Sequence, residues 1–172
     1  MLTDVALDSG RVTAWPTRIK ATAAQPRVAV VTANYNTRLL VAQLIYSLYA
    51  RLGDQQVAQV VVVDNASTDG SRSLLERMAA SGLCALIAND AQRYHGPALN
   101  QAMNWLAERQ RMDGPELLID YVWVLDSDCV VMRGDTLFTA TRALQHAGGR
   151  PLACWGDARA ACAPARSGPG VA

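Results

Sequence analysis

From Arg27 onward the chain alternates between two patterns: short, nearly continuous apolar runs, and longer segments with apolar residues at helical spacing. Val28–Thr32 and Val57–Val63 are runs of the first kind, as expected for parallel strands buried on both faces. Leu83–Ala88 and Tyr121–Leu125 predict two more strands, and Leu152–Trp155 the start of a fifth. Between them, Leu40, Leu44, Leu48 and Leu52 fall on one helical stripe with Val41, Ile45 and Tyr49 alongside. That stripe predicts a helix capped by Asn36 or Thr37 and ended by Gly53. Ser71–Ala80 predicts a second helix, with Thr68 or Asp69 as cap, Ser73 and Glu76 at capping-box spacing and Gly82 beyond its end. Pro97 opens a third, running to Gln110, as a first-turn proline can. Thr136–Gln145 predicts a fourth, closed by Gly148-Gly149.

Strand–helix alternation of this kind predicts an α/β, Rossmann-like fold: a mostly parallel sheet with helices on both faces. Residues 1–26 carry no such pattern and are expected to be a poorly ordered lead or an arm packed elsewhere. Residues 27–156 form the predicted domain, and the Ala/Gly/Pro-rich residues 157–172 a disordered tail.

Composition removes several function classes. Sixteen basic against fifteen acidic residues leave a formal charge of +1, so no strong field points to nucleic acid. Cys84, Cys129, Cys154 and Cys162 show no metal-binding spacing and read as core thiols. The first 25 residues are broken by Asp4, Asp8, Arg11, Pro16, Arg18 and Lys20 and do not read as a secretory signal. No run approaches the roughly 18 apolar residues of a spanning helix, so the expected location is cytoplasmic.

The candidate chemistry lies where two predicted strands end. Val60–Val63 leads into Asp64-Asn65-Ala66-Ser67-Thr68-Asp69-Gly70-Ser71, and Tyr121–Leu125 into Asp126-Ser127-Asp128. Open α/β sheets bind ligands at the carboxyl ends of their strands. A carboxylate at Asp64 can accept from a nucleotide base N–H, or the segment can simply turn the chain. Asp126 and Asp128 repel each other unless protons or a cation neutralise them. A Mg²⁺ or Mn²⁺ ion would bridge them to a diphosphate. The loop Asn89–Gly96 leads into a helix N-terminus, a favourable place for phosphate or sugar oxygens. There Arg93 can pair with phosphate and His95 can hydrogen-bond a ligand, or both are solvated loop residues. His146, near a helix end, reads as a partner of the last carbonyls.

Taken in order, these segments resemble the inverting, metal-dependent glycosyltransferases of family 2, which have the GT-A fold. Val30–Asn36 is similar to the family's first strand and nucleotide-contacting turn. Val62–Ser71 is similar to its V-D-[ND]-x-S-x-D-G-[ST] segment, and Leu125-Asp126-Ser127-Asp128 to its D-x-D motif. Asn89, with Gly96 through Asn100, resembles the loop and helix before that motif. The resemblance implies a UDP-, GDP- or dTDP-linked sugar donor. Thr32, Asn34, Asp64, Asn89, Asn100 and Asp126 would bind it, and Asp126 and Asp128 would hold the metal. It further implies an acceptor glycan or glycolipid, cell-envelope polysaccharide synthesis, and peripheral contact with the inner face of the membrane through a lipid acceptor.

One part of the family pattern has no counterpart here. The general base normally lies well beyond the D-x-D, whereas 44 residues follow Asp128. Asp135 is too near the metal turn, Asp157 has no matching motif, and no base is nominated. The chain therefore reads as the donor-binding half of a transferase. A non-catalytic nucleotide-sugar-binding module, or an inactive fragment, is the alternative. The segment Val122–Val130 also resembles the first motif of haloacid-dehalogenase-type phosphatases, but no lysine follows Lys20, as that chemistry requires. Neither G-x-G-x-x-G nor a Walker motif is present.

Overall fold

A computed structural model describes residues 10–12, 26–52, 57–113 and 119–146. Five strands and four α-helices follow one another as β1 (Gly10–Val12), β2 (Val28–Asn34), α1 (Arg38–Leu52), β3 (Val57–Asn65), α2 (Ser71–Ala80), β4 (Ala85–Asn89), α3 (His95–Asp113), β5 (Tyr121–Val124) and α4 (Thr136–His146). The strands form one sheet in the order β1-β4-β3-β2-β5. β2 to β5 are parallel, and β1 runs antiparallel along the outer edge of β4. Within the segment expected to be a poorly ordered lead or an arm packed elsewhere, Gly10–Val12 adds a strand by main-chain pairing. Leu152–Trp155 and the 157–172 tail lie outside the described residues.

The period of two along each strand sorts side chains to opposite faces. Val28, Val30, Val60, Val62 and Leu86 pack with Val41, Leu44, Ile45, Leu48 and Leu52 of α1, Leu75 and Ala79 of α2, and Leu137 of α4. Ala29, Val31, Val61, Val63, Ala85 and Ile87 pack on the opposite face with Ala98, Ala102, Trp105 and Leu106 of α3. Helices cover both faces, which is why β3 reads as a nearly unbroken apolar run. Each of the fully buried Val, Leu and Ile side chains contributes on the order of 1.5–3 kcal/mol relative to exposure.

The local details differ from the sequence pattern at several points. Leu40 is 42 % exposed, so the buried stripe of α1 is Val41, Leu44, Ile45, Leu48 and Leu52. The Ser73–Glu76 capping box does not form, because Ser73 lies inside α2 and the N-cap position is Gly70, held at φ 84°. The side chain that serves this end is Asp69, whose Oδ1 accepts from Ser71 N at 3.0 Å. α2 ends as expected at Gly82 (φ 77°), where Gly82 N donates to Ala79 O and Leu83 N to Met78 O. α3 begins at His95, two residues before Pro97. No helix among the described residues is long and apolar enough to cross a membrane.

Chain order makes the site. The path runs outward from β2 to β3 and β4, then crosses back to place β5 on the other side of β2. The order reverses between β2 and β5, and such a switch point opens a crevice at the carboxyl ends of the two strands.

Candidate functional site

The registers align the strand ends in pairs. Asn34 of β2 lies beside Asp64 of β3, and Asn65 of β3 beside Asn89 of β4. Each pair anchors one polar cluster. In the first, Asn34 Nδ2 donates to Asp64 Oδ1 (2.9 Å) and to Ser67 Oγ (3.0 Å). Ser67 N donates to Asp64 Oδ2 at 3.2 Å, and Arg72 Nε lies 3.7 Å from the same oxygen. Asp64 is fully buried, so this carboxylate depends on those partners. Thr37 Oγ1 donates to Asn34 Oδ1 (2.7 Å) and lies 2.9 Å from Ser127 Oγ, which ties the turn after β5 to the turn after β2.

In the second cluster Asn89 Nδ2 donates to Asn65 Oδ1 (3.0 Å) and Gln101 Oε1 (2.8 Å), and Gln101 Nε2 returns a bond to Asn89 Oδ1 (2.9 Å). Asn65 Nδ2 donates to Tyr94 O at 3.1 Å, and Arg93 N donates to Asn65 Oδ1 at 3.2 Å. These bonds hold the loop before α3 against the sheet and fix Tyr94 at φ 60°. Arg72 joins the clusters, because its Nη2 donates to Asn89 O at 2.6 Å.

Above these buried groups stands the exposed turn Asp126–Asp128, closed by Cys129 N donating to Asp126 O at 3.0 Å. His95, the first residue of α3, places Nε2 3.4 Å from Asp126 Oδ1 across the crevice. Burial, and then the nearby Asp128 and Asp126 carboxylates, push the Cys129 thiol above its ordinary pKa despite its bond from the turn. The second core thiol, Cys84, is pushed up to about 12 by burial. Asp135 is turned away to Arg133, whose Nε and Nη2 donate to it at 2.9 and 2.7 Å, and that pairing lowers its pKa.

The expected site residues therefore divide by exposure. Thr32, Asn34, Asp64 and Asn89 are buried at the strand ends, and the Thr32 hydroxyl has no hydrogen-bond partner among the described residues. Asp126, Asp128 and Asn100 are exposed. Asn100 takes no part in the clusters described here, whereas the next residue, Gln101, closes the second. A Cβ at Gly96 would meet nothing within 4 Å, so space does not require glycine there. Gln101 and Arg72 carried no sequence signal: each meets its partners through the fold, 12 and 17 residues from Asn89. Among the described residues, no three His, Cys, Asp or Glu side chains gather as a metal cage.

The fold is similar to that of known proteins. A mannosyltransferase from Pyrobaculum calidifontis, solved in complex with GDP-Man and Mn²⁺, is 28 % identical and superposes with a TM-score of 0.56 over 73 % of this chain and 35 % of its own. S. aureus TarS (residues 1–349) is 22 % identical, with a TM-score of 0.53 over 70 % of this chain and 32 % of its own. Its complex with UDP-GlcNAc is 20 % identical, with a TM-score of 0.51 over 70 % and 31 %. The chain thus spans about a third of the length of these structures. No curated protein matches it by sequence. The sequence model described as "Glycosyl transferase family 2" matches residues 29–147, from the second residue of β2 to just beyond α4. With that match over most of its length, and a GT-A-type sheet whose switch point carries the D-x-D turn, the chain belongs to glycosyl transferase family 2.

Proposed function

We propose that this chain binds a nucleotide-diphosphate sugar and transfers the sugar to an acceptor hydroxyl with inversion, assisted by Mg²⁺ or Mn²⁺. The observation that carries the reading is the exposed Asp126/Asp128 pair at the β2–β5 switch point, with Asp126 beside His95 at the α3 N-terminus. The mannosyltransferase neighbour, seen with GDP-Man and Mn²⁺, supports both donor class and metal.

The donor set fits a hard cation. Two carboxylates with a serine between them offer oxygen ligands, and an ion that keeps several positions for phosphate and water needs no closed cage. Asp126 and Asp128 would hold it, and when bound it supplies positive charge for the departing diphosphate. In the transfer, the acceptor oxygen bonds to the anomeric carbon from the face opposite the leaving group. The bond from that carbon to the phosphate oxygen breaks, and the hydroxyl proton passes to a base. Asp135 is a poor base, since Arg133 holds its carboxylate in the ionised, weakly basic form.

Thr32, Asn34 and Asp64 form the floor of the proposed nucleoside pocket. Asp64 accepts from Asn34 on Oδ1 and from Ser67 on Oδ2, and the second lone pair of each oxygen can accept a base N–H. Asn89 acts through the loop it anchors, and Asn100 lies on the exposed side of α3. An acceptor glycan or glycolipid, with membrane contact through a lipid acceptor, completes the proposal.

Calorimetric titration with UDP, GDP and dTDP, with and without Mn²⁺, tests the reading. One nucleotide should bind in a Mn²⁺-dependent manner, and Asp126→Ala or Asp128→Ala should abolish that dependence with the melting temperature unchanged, because exposed turn carboxylates contribute little to stability. Undiminished metal-dependent binding in both variants would refute the metal role. Failure of the folded parent chain to bind any of the three would refute the donor site.

A further inference from the structure

The two halves of the proposed donor site are joined by a hydrogen-bonded series with a definite direction. A carboxylate oxygen only accepts, so Asn34 must turn Nδ2 toward Asp64 and Oδ1 toward Thr37. Thr37 then spends its single hydroxyl proton on Asn34 Oδ1. At the 2.9 Å contact between Thr37 Oγ1 and Ser127 Oγ, Ser127 must therefore be the donor. The order is Ser127 to Thr37 to Asn34 to Asp64, and it crosses the switch point from β5 through β2 to β3.

Thr37 holds the N-cap position of α1, but its hydroxyl does not cap the helix. It stands immediately before Arg38, and its carbonyl accepts from Val41 N, yet the first-turn amide of Arg38 is served by Asp69. Its hydroxyl faces Asn34 and Ser127 instead. The Asp126–Asp128 turn needs such a tether. Beyond β5 the chain keeps one more backbone bond to β2, from Leu125 N to Val31 O, and Val131 N is next fastened to Ser47 Oγ. Between those two points, Ser127 supplies the side-chain link to the β2 turn.

We infer that Thr37 is a positioning residue. It holds the Asp126–Asp128 turn in register with the Asn34–Asp64 pair, so that one ligand meets both the diphosphate end and the nucleoside end of the crevice. This deepens, and rests on, the proposed donor-binding function. A preset turn spares the binding of metal and diphosphate the cost of ordering it.

The test compares Thr37→Val, Thr37→Ser and Ser127→Ala with the parent chain. Hydrogen exchange of the ligand-free proteins reads the turn itself, and titration with Mn²⁺ plus UDP, GDP or dTDP reads its consequence. Thr37→Val removes both bonds of the hydroxyl, whereas Ser127→Ala keeps the Thr37–Asn34 bond and leaves α1 intact. Both should speed exchange at residues 126–130 and weaken Mn²⁺-dependent nucleotide binding on the order of tenfold, the worth of about one net hydrogen bond. Thr37→Ser should match the parent. Parent-like exchange at 126–130 in Ser127→Ala overturns the tether. Fast exchange with undiminished affinity overturns the positioning role. A parent chain that keeps the turn protected but binds no nucleotide overturns the donor reading, and the positioning role with it.

Discussion

Replacing Asp69 by alanine should loosen two helices at once. Oδ2 accepts from Arg38 N at 2.8 Å, the first amide of α1, and Oδ1 accepts from Ser71 N at 3.0 Å, the first amide of α2. One carboxylate thus caps two helix N-termini that begin 33 residues apart, a separation read directly from Arg38 and Ser71. Loss of a side-chain N-cap costs about 1 kcal/mol. Two caps would give about 2 kcal/mol for Asp69→Ala before the reduction by solvent screening at an exposed site. For a chain of this size that upper bound is a fall in melting temperature of about 4–8 °C.

The effect should fade in acid. Partial desolvation raises the Asp69 pKa, but hydrogen bonds from Ser71 Oγ, Arg38 N and Ser71 N outweigh it and leave a net lowering. A folded-state pKa below the unfolded value contributes stability that is fully present above the unfolded pKa and lost as pH falls through the folded one. Urea denaturation of parent and Asp69→Ala at neutral pH, and again below the ordinary carboxylate range, checks this. The gap should narrow in acid. Equal stabilities at neutral pH, or a gap that does not change with pH, would refute the double cap.

Two further outcomes follow from the packing. Asn89→Ala and Gln101→Ala each leave a partner amide unmatched and should each cost about 1–3 kcal/mol, while the double variant should cost well under the sum; an additive double-mutant cycle in urea would separate the two residues. Gly134→Ala should destabilise by about 1–3 kcal/mol, because the added Cβ would stand 2.8 Å from the backbone carbonyl oxygen of Arg51 and force the turn before α4 away from α1; an unchanged melting temperature would show that the turn yields freely.

Much of this molecule was determined by sequence alone, because the signals are local. Continuous apolar runs at Val28 and Val57 foretell strands covered on both faces, and the structure covers them with α1, α2 and α4 on one side and α3 on the other. Gly82 marks the end of α2 because the left-handed position there favours glycine. The family was legible too, since its motifs are short segments whose order survives in the linear chain. Other features depended on contacts that no local period encodes. Leu40 falls on the helical stripe but faces solvent, and Gly10–Val12 pairs with β4 although residues 13–27 separate it from β2. Asp69 serves the first amide of α1 from the far side of β3, while Thr37 holds the expected N-cap position through its carbonyl alone. Ser127 reaches Thr37 across 90 residues only because the crossover lays β5 beside β2. Spacing along a chain reports which residues share a face, whereas the polar partners of a site are set by which strand ends the topology brings together.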